Sequence, residues 1–128
     1  MQSVFSLLLI GGVICFTFVV IEVITTSYTF EKIVSILENI GIKKDLSTAI
    51  LSGLFEITGG CLMLSYCKLT FNIATIICTF IISFGGISTF LQSIAFTKGI
   101  VKEKTFLLQK ITHAICASFV SAILTAIF

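Results

Sequence analysis

The sequence predicts an all-α fold, a polytopic membrane helix bundle of about four hydrophobic segments plus an interfacial amphipathic helix, in a single membrane domain over residues 1–128. Of these residues 57% are hydrophobic and only 11% are charged, and the mean hydropathy is +1.19. Soluble domains carry roughly 25% charged residues, so this chain has too few charges to face water on all sides. Its apolar runs also approach the ~20 residues that cross a bilayer. Lipid is therefore the predicted solvent.

The first apolar segment, residues 4–26, is predicted to be transmembrane. No basic stretch precedes it and no small-residue cleavage site follows it, so it does not resemble a signal peptide. In residues 28–44, apolar side chains recur at helical spacing and most charged ones lie opposite them. This pattern predicts an amphipathic helix lying in the membrane surface.

Three further segments complete the predicted bundle. Residues 46–66 are predicted to be transmembrane, and so are residues 105–128. Between them, residues 69–96 contain no charge and exceed one straight crossing by about eight residues. We favour a transmembrane helix broken at Gly85-Gly86, with a re-entrant hairpin folded at the same glycines as the alternative.

Lysine positions orient this predicted bundle. All eight basic residues are lysines, concentrated in the connections before residue 46 and after residue 96. With four crossings these two connections share a side, predicted to be the cytoplasm, and both termini face the other side. A chain without arginine and with a net charge of only +2 lacks the usual features of nucleic-acid binding. Nucleic acid is therefore not a predicted partner, whereas the lipid bilayer is.

Motifs of enzymes and metal sites are missing from the sequence. The five cysteines and one histidine are scattered without the spacing of a ligand set, and there is no nucleophile elbow or phosphate-binding loop. We expect no enzymatic activity, no catalytic residues, no metal and no cofactor. The cysteines are interpreted as buried thiols that behave as small hydrophobic residues.

Glu56 is the polar residue that most needs an explanation. A charged group at mid-bilayer costs about 2.5–3.5 kcal/mol on insertion scales, so it faces protein or a wet cavity. On a continuous helix, Ser52, Glu56 and Gly60 would share one face. Two interpretations stay open: a functional site residue, or a protonated carboxyl that joins two helices through one hydrogen bond.

The stretch "SFGGISTFLQS", residues 83–93, predicts a helix break because paired glycines let a helix unwind. A half-helix starting at Gly86 would place free N–H groups inside the membrane, where they attract anionic groups. Ser88 and Gln92 would share one of its faces. The alternative is a close packing contact in which Gln92 bonds a neighbouring helix. The residues alone favour neither.

A polar stripe precedes this break, at spacings of three and four residues. It consists of Asn72, Thr75, Thr79 and Ser83. The stripe would line a hydrophilic path toward the glycines, but Thr and Ser also bond back to carbonyls of their own helix. We favour the second interpretation.

Two motifs together resemble those of bacterial sporulation integral membrane proteins of the YlbJ type. "GLFEITGG", residues 53–60, is similar to their Gly-Leu-[Leu/Phe]-Glu-[Ile/Val/Met]-Thr-x-Gly motif. "FGGISTFLQ", residues 84–92, is similar to their Gly-Gly-[Leu/Phe/Ile]-Ser-x-x-x-Gln element. Both belong to the nucleoside-transporter-like gate domain, or nucleoside recognition domain, and occur in the same order with similar spacing. The resemblance covers the chain from about residue 44 to its end.

The resemblance implies a multi-pass protein in the cell membrane of spore-forming Firmicutes, in a membrane that surrounds the forespore. It also implies broken helices around a central site, and a role in spore-cortex formation and in the movement of dipicolinate, a small aromatic dianion. Carried over residue by residue, it implies a substrate-binding set: Glu56, Thr58, Gly85, Gly86, Ser88 and Gln92.

The sequence also departs from this family. Family members are much longer and contain two halves, each with a broken helix, whereas this chain resembles the C-terminal half, and Phe90 stands where a His is common. A half-length chain would form a homo-oligomer, pair with a second half-transporter subunit, or be a truncated remnant. The predicted function is a half-size transporter or permease subunit for a small anionic metabolite. The alternative is a structural or assembly component of the sporulating-cell membrane.

Overall fold

A computed structural model describes residues 2–97 and 102–127. Within these ranges every regular element is a helix, so the all-α prediction is confirmed for this part of the chain. Residues 98–101 of the second lysine-rich connection and Phe128 of the last predicted segment lie outside the described residues. The helices are α1 (Gln2–Thr25), α2 (Tyr28–Asn39), α3 (Lys44–Phe55), α4 (Ile57–Tyr66), α5 (Phe71–Phe84), α6 (Gly86–Thr97) and α7 (Glu103–Ile127).

Three stretches of helix are long and apolar enough to cross a membrane: Ser3–Thr25, Phe71–Ile94 and Glu103–Ile127. Most of their residues are not buried inside the protein. On α1, for example, Phe5 and Phe16 are 71% and 70% exposed. Large apolar side chains on the outside indicate a protein surrounded by lipid. The fourth span expected from the sequence, over residues 46–66, is not among the three.

Residues 46–66 differ from the single crossing predicted for them. They form two short helices, α3 and α4, that fold back on each other; we call this pair the hairpin. At Glu56 the backbone is extended (φ −148°, ψ 132°), a conformation that a continuous helix does not contain. Beyond this turn, Gly60 of α4 lies directly against the backbone of Gly53 in α3.

The two arms of the hairpin, α3 and α4, pack against each other along their length. Ala49 of α3, Leu64 of α4 and Ile81 of α5 form the buried apolar cluster. At the open end, Asp45 and Cys67 line one small pocket. The hairpin therefore begins and ends on the same side, so the topology differs from the four crossings predicted above.

Between α5 and α6, the break predicted at Gly85-Gly86 is present. Gly85 has a left-handed φ of +83° and Gly86 follows at φ +68°, conformations that cost glycine little because it has no Cβ. α5 packs along α7, whereas α6 contacts α3 and α1. Over residues 69–96 this is the geometry of a broken helix that continues onward, not of a hairpin.

The surface helix α2 has the amphipathic pattern predicted for residues 28–44. The Oγ of Ser27 caps it by accepting a hydrogen bond from the Phe30 amide at 3.3 Å. Phe30 and Val34 are buried on its inner face. The helix ends just before Gly41, whose φ of +99° turns the chain toward the hairpin.

Candidate functional site

The two helix breaks lie against each other. A Cβ built on Gly86 would be 2.8 Å from the carbonyl oxygen of Phe55 and 3.2 Å from the amide nitrogen of Glu56. Backbone cannot give way at such a contact as a flexible side chain can, so only glycine fits here. We call this region the double break and define it as Phe55, Glu56, Gly85 and Gly86.

At the double break, Glu56 is the N-terminal cap of α4. Its Oε1 accepts a hydrogen bond from the Thr58 amide at 2.8 Å, and its Oε2 accepts one from the Gly59 amide at 2.7 Å. The carboxylate thereby satisfies two of the N–H groups that the start of a helix leaves unpaired, at the positive end of the helix dipole. Glu56 is buried, with 9% of its surface exposed. Its partners lie in the helix that it begins, which differs from the interhelical bond considered from the sequence.

Because Glu56 occupies the N-terminus of α4, an external anion does not have access to those two N–H groups. The N-terminus of α6 is the second positive helix end at the double break, since α6 begins at Gly86. Two residues along α6, Ser88 is buried and its Oγ accepts a hydrogen bond from Nε2 of Gln92 at 3.2 Å. Gln92 therefore bonds within α6, whereas the packing alternative considered from the sequence had it bonding a neighbouring helix.

Lys110 of α7 also reaches the double break, although it is not among the site residues predicted from sequence. Its Nζ lies 3.1 Å from the position of a Cβ on Gly85 and 5.9 Å from the centroid of the Phe106 ring. The ammonium therefore lies at the C-terminal end of α5, where the helix dipole favours a positive charge. The sequence feature that could have identified Lys110 as a site residue is the presence of a lysine within an otherwise apolar segment.

Only some of the six site residues predicted from the sequence lie together at the double break. Thr58 supplies its amide to the Glu56 carboxylate, but its residue surface is exposed. Ser88 and Gln92 lie along the first turns of α6. The residues within the double break itself are Glu56, Gly85 and Gly86.

Two hydroxyls of the polar stripe on α5 bond to carbonyls of their own helix. Thr75 donates to the carbonyl of Phe71 and Thr79 to that of Thr75, each at 2.8 Å. Across the seam between α5 and α7, Asn72 donates to the carbonyl of Thr125 at 3.0 Å. The structure thus agrees with the favoured interpretation, in which these hydroxyls bond to their own helix.

Within the described residues, no three His, Cys, Asp or Glu side chains group as ligands for a metal ion. The site consists instead of one carboxylate, one ammonium, helix ends and amide and hydroxyl groups, which suits recognition of a polar molecule. No protein-family model, curated protein or solved structure matches this chain.

Proposed function

We propose that this chain is a half-size subunit of a membrane transporter or permease that moves a small anionic metabolite through a site at the double break. One observation carries the proposal: the contact between two interrupted helices, where Gly86 lies against the Phe55 carbonyl. In many transporters the substrate site near the bilayer midplane is formed by discontinuous helices, whose free backbone groups bind substrate. Irregular backbone at membrane depth is tolerated only where it is buried in protein or lines a cavity.

The charges at the double break support an anionic substrate. The N–H groups at the start of α6 and the ammonium of Lys110 both favour negative charge. The opposing carboxylate of Glu56 is already bound by the two amides of α4. Repulsion between like charges is strong at low dielectric, so the substrate carboxylate would bind on the Lys110 side, away from Glu56.

The identity of the metabolite and its membrane rests on the motif resemblance. The two motifs support dipicolinate as the substrate and a membrane around the forespore as the location. Because proteins of that family combine two halves, we further propose that the active unit contains two half-subunits, either two copies of this chain or this chain with a separate half.

A structural or assembly role in the same membrane is the second candidate. The observation that favours it is that several polar groups of α4 and α5 have hydrogen-bond partners within their own helix. Glu56 caps its own helix and Thr75 and Thr79 bond back to α5. Groups with such partners stabilise helices without any ligand.

Release of radiolabelled dipicolinate from liposomes that contain the purified chain tests the proposal. Lys110→Met should slow release about tenfold or more, because hydrogen bonds to charged groups contribute roughly 1.5–3 kcal/mol and about 1.4 kcal/mol corresponds to a factor of ten. Ser118→Ala is the matched control on the same helix, since the Ser118 hydroxyl bonds only the carbonyl of Ala114 among the described residues. Release by folded chain no faster than from empty liposomes would contradict transport by two copies of this chain.

A further inference from the structure

Cys61 of α4 and Cys78 of α5 face each other where the hairpin packs on the broken helix. Their Sγ atoms are 3.8 Å apart, and both residues pack against the buried apolar cluster. Cys15 and Cys116, by contrast, are exposed on α1 and α7. The interpretation of all five cysteines as buried thiols is therefore wrong, because two are exposed and three are only partly buried.

The geometry of this pair allows a covalent bond. A disulfide requires an Sγ–Sγ distance of about 2.05 Å, so each sulfur would have to move by about 1 Å. Both side chains are only partly buried, and a small rotation about the Cα–Cβ bond moves a sulfur by that amount without moving a helix.

We propose that Cys61 and Cys78 form a redox-active dithiol that a lipid-soluble quinone oxidises to a disulfide. The two thiols lose two protons and two electrons, the S–S bond forms, and the quinone takes up both protons and both electrons to become a quinol. The class of oxidant follows from the surroundings, because both cysteines lie in apolar helices that a quinone dissolved in the bilayer reaches more readily than a charged oxidant does.

The disulfide would fix the hairpin to α5. Cys61 follows Glu56 by five residues and Cys78 precedes Gly85 by seven. A transport cycle that moves the hairpin relative to α5 would therefore stop in the oxidised protein. This consequence rests on the proposed function, whereas formation of the disulfide does not.

Cleavage at methionine tests the disulfide directly. Met63 lies between the two cysteines and Met1 is the other methionine of the chain, so cyanogen bromide divides it into residues 2–63 and 64–128. A variant that keeps only Cys61 and Cys78 is reconstituted in liposomes, treated with decylubiquinone, alkylated at remaining thiols and cleaved. We expect the two fragments to stay joined on a non-reducing gel and to separate after reduction, with loss of both free thiols.

Controls make each outcome decisive. In a variant that keeps Cys61 and Cys116, the fragments should separate after the same treatment. Fragments that separate in the Cys61/Cys78 variant, or uncleaved chain that runs as a disulfide-linked dimer, would overturn the proposal. Joining with copper–phenanthroline but not with decylubiquinone would overturn the quinone as the oxidant.

Dipicolinate release from the same liposomes separates this inference from the proposed function. Oxidation should abolish release, reduction should restore it, and Cys78→Ser should remove the effect of oxidation. A chain that forms the disulfide but never releases dipicolinate would support the dithiol and contradict transport by two copies of this chain. Undiminished release from fully oxidised protein would contradict the blocking effect of the disulfide.

Discussion

Glu56 shows how one residue can turn a chain inside an apolar environment. Ending one helix and starting another leaves backbone groups unpaired, and each such group is costly in lipid. Its carboxylate accepts hydrogen bonds from two of those groups at the start of α4, while its own amide still donates to the carbonyl of Ser52 in α3. Glu56 therefore ends one helix and also accepts hydrogen bonds from two of the amide groups that this break leaves unpaired.

Among the glycines, Gly60 is the position where an added methyl group should be least tolerated. In Gly60→Ala the Cβ would overlap the backbone of Gly53, so we expect a loss of stability of about 1–3 kcal/mol, as for other overpacked sites. The measurement is the loss of helical circular dichroism during unfolding by SDS in mixed micelles.

The neighbouring glycine provides a matched control for this prediction. A Cβ on Gly59 would be 3.5 Å from Oε2 of Glu56, an ordinary van der Waals contact, so Gly59→Ala should stay close to the parent protein. Equal stability of the two variants would contradict the close packing of the hairpin arms.

At the scale of elements, helix lengths predict that the double break lies near the middle of the membrane. α3 and α4 contain 12 and 10 residues, which at 1.5 Å per residue is about 18 and 15 Å. The hydrocarbon core is about 30 Å thick, so each arm of the hairpin reaches roughly halfway. α5, with 14 residues, is about 21 Å long before it ends at Gly85. Both breaks are thus expected at similar depth.

The open end of the hairpin yields a test of its closure. Burial, and then the negative charge of Asp45, raise the pKa of the Cys67 thiol. A higher pKa leaves less thiolate at neutral pH, so alkylation of Cys67 should be slow and should accelerate as pH rises. Asp45→Asn should lower this pKa and speed alkylation by roughly twofold at low salt, with a smaller effect at high salt.

This rate is measured with a maleimide on a variant in which Cys67 is the sole cysteine. Glu38→Gln on α2 is the control, because it removes the same charge from a residue that lines a different pocket. If Asp45→Asn leaves the rate unchanged while Glu38→Gln alters it, the two ends of the hairpin do not meet as described.

At the scale of the whole molecule, the hairpin rearranges the topology predicted from the lysines. With one re-entrant hairpin before the broken helix, the connections that carry Lys44 and Lys68 share a side and Lys102 lies on the other. The first side then carries four lysines in connections, and the second carries Lys102 and Lys104, with Lys98 outside the described residues. So small a difference does not orient a protein by charge, so the placement of the lysine-rich connections in the cytoplasm stays a prediction.

Single-cysteine labelling distinguishes the two topologies. In a background without the native cysteines, an impermeant maleimide should label Lys44→Cys and Lys68→Cys from one side of oriented vesicles, and Lys102→Cys from the other. Four crossings would instead place Lys44→Cys with Lys102→Cys, opposite Lys68→Cys. That second pattern would rule out the re-entrant hairpin.

The sequence by itself determined the solvent, the helical class and the break at Gly85-Gly86. Hydrophobic composition and segment length can be read from the sequence without knowledge of the fold. Both match the hydrocarbon core of a bilayer. A positive φ is likewise a local property of glycine, so a Gly-Gly pair indicates a break without knowledge of its neighbours.

Only the tertiary structure decided that residues 46–66 fold back, that Lys110 lies at the double break and that Cys61 lies against Cys78. A continuous helix satisfies its backbone within the same segment, so the sequence pattern did not distinguish it from a hairpin. The hairpin depends on contacts between residues brought together by the fold, such as Gly53 with Gly60. Since many pairs of small residues never meet, such a contact is not evident from spacing alone.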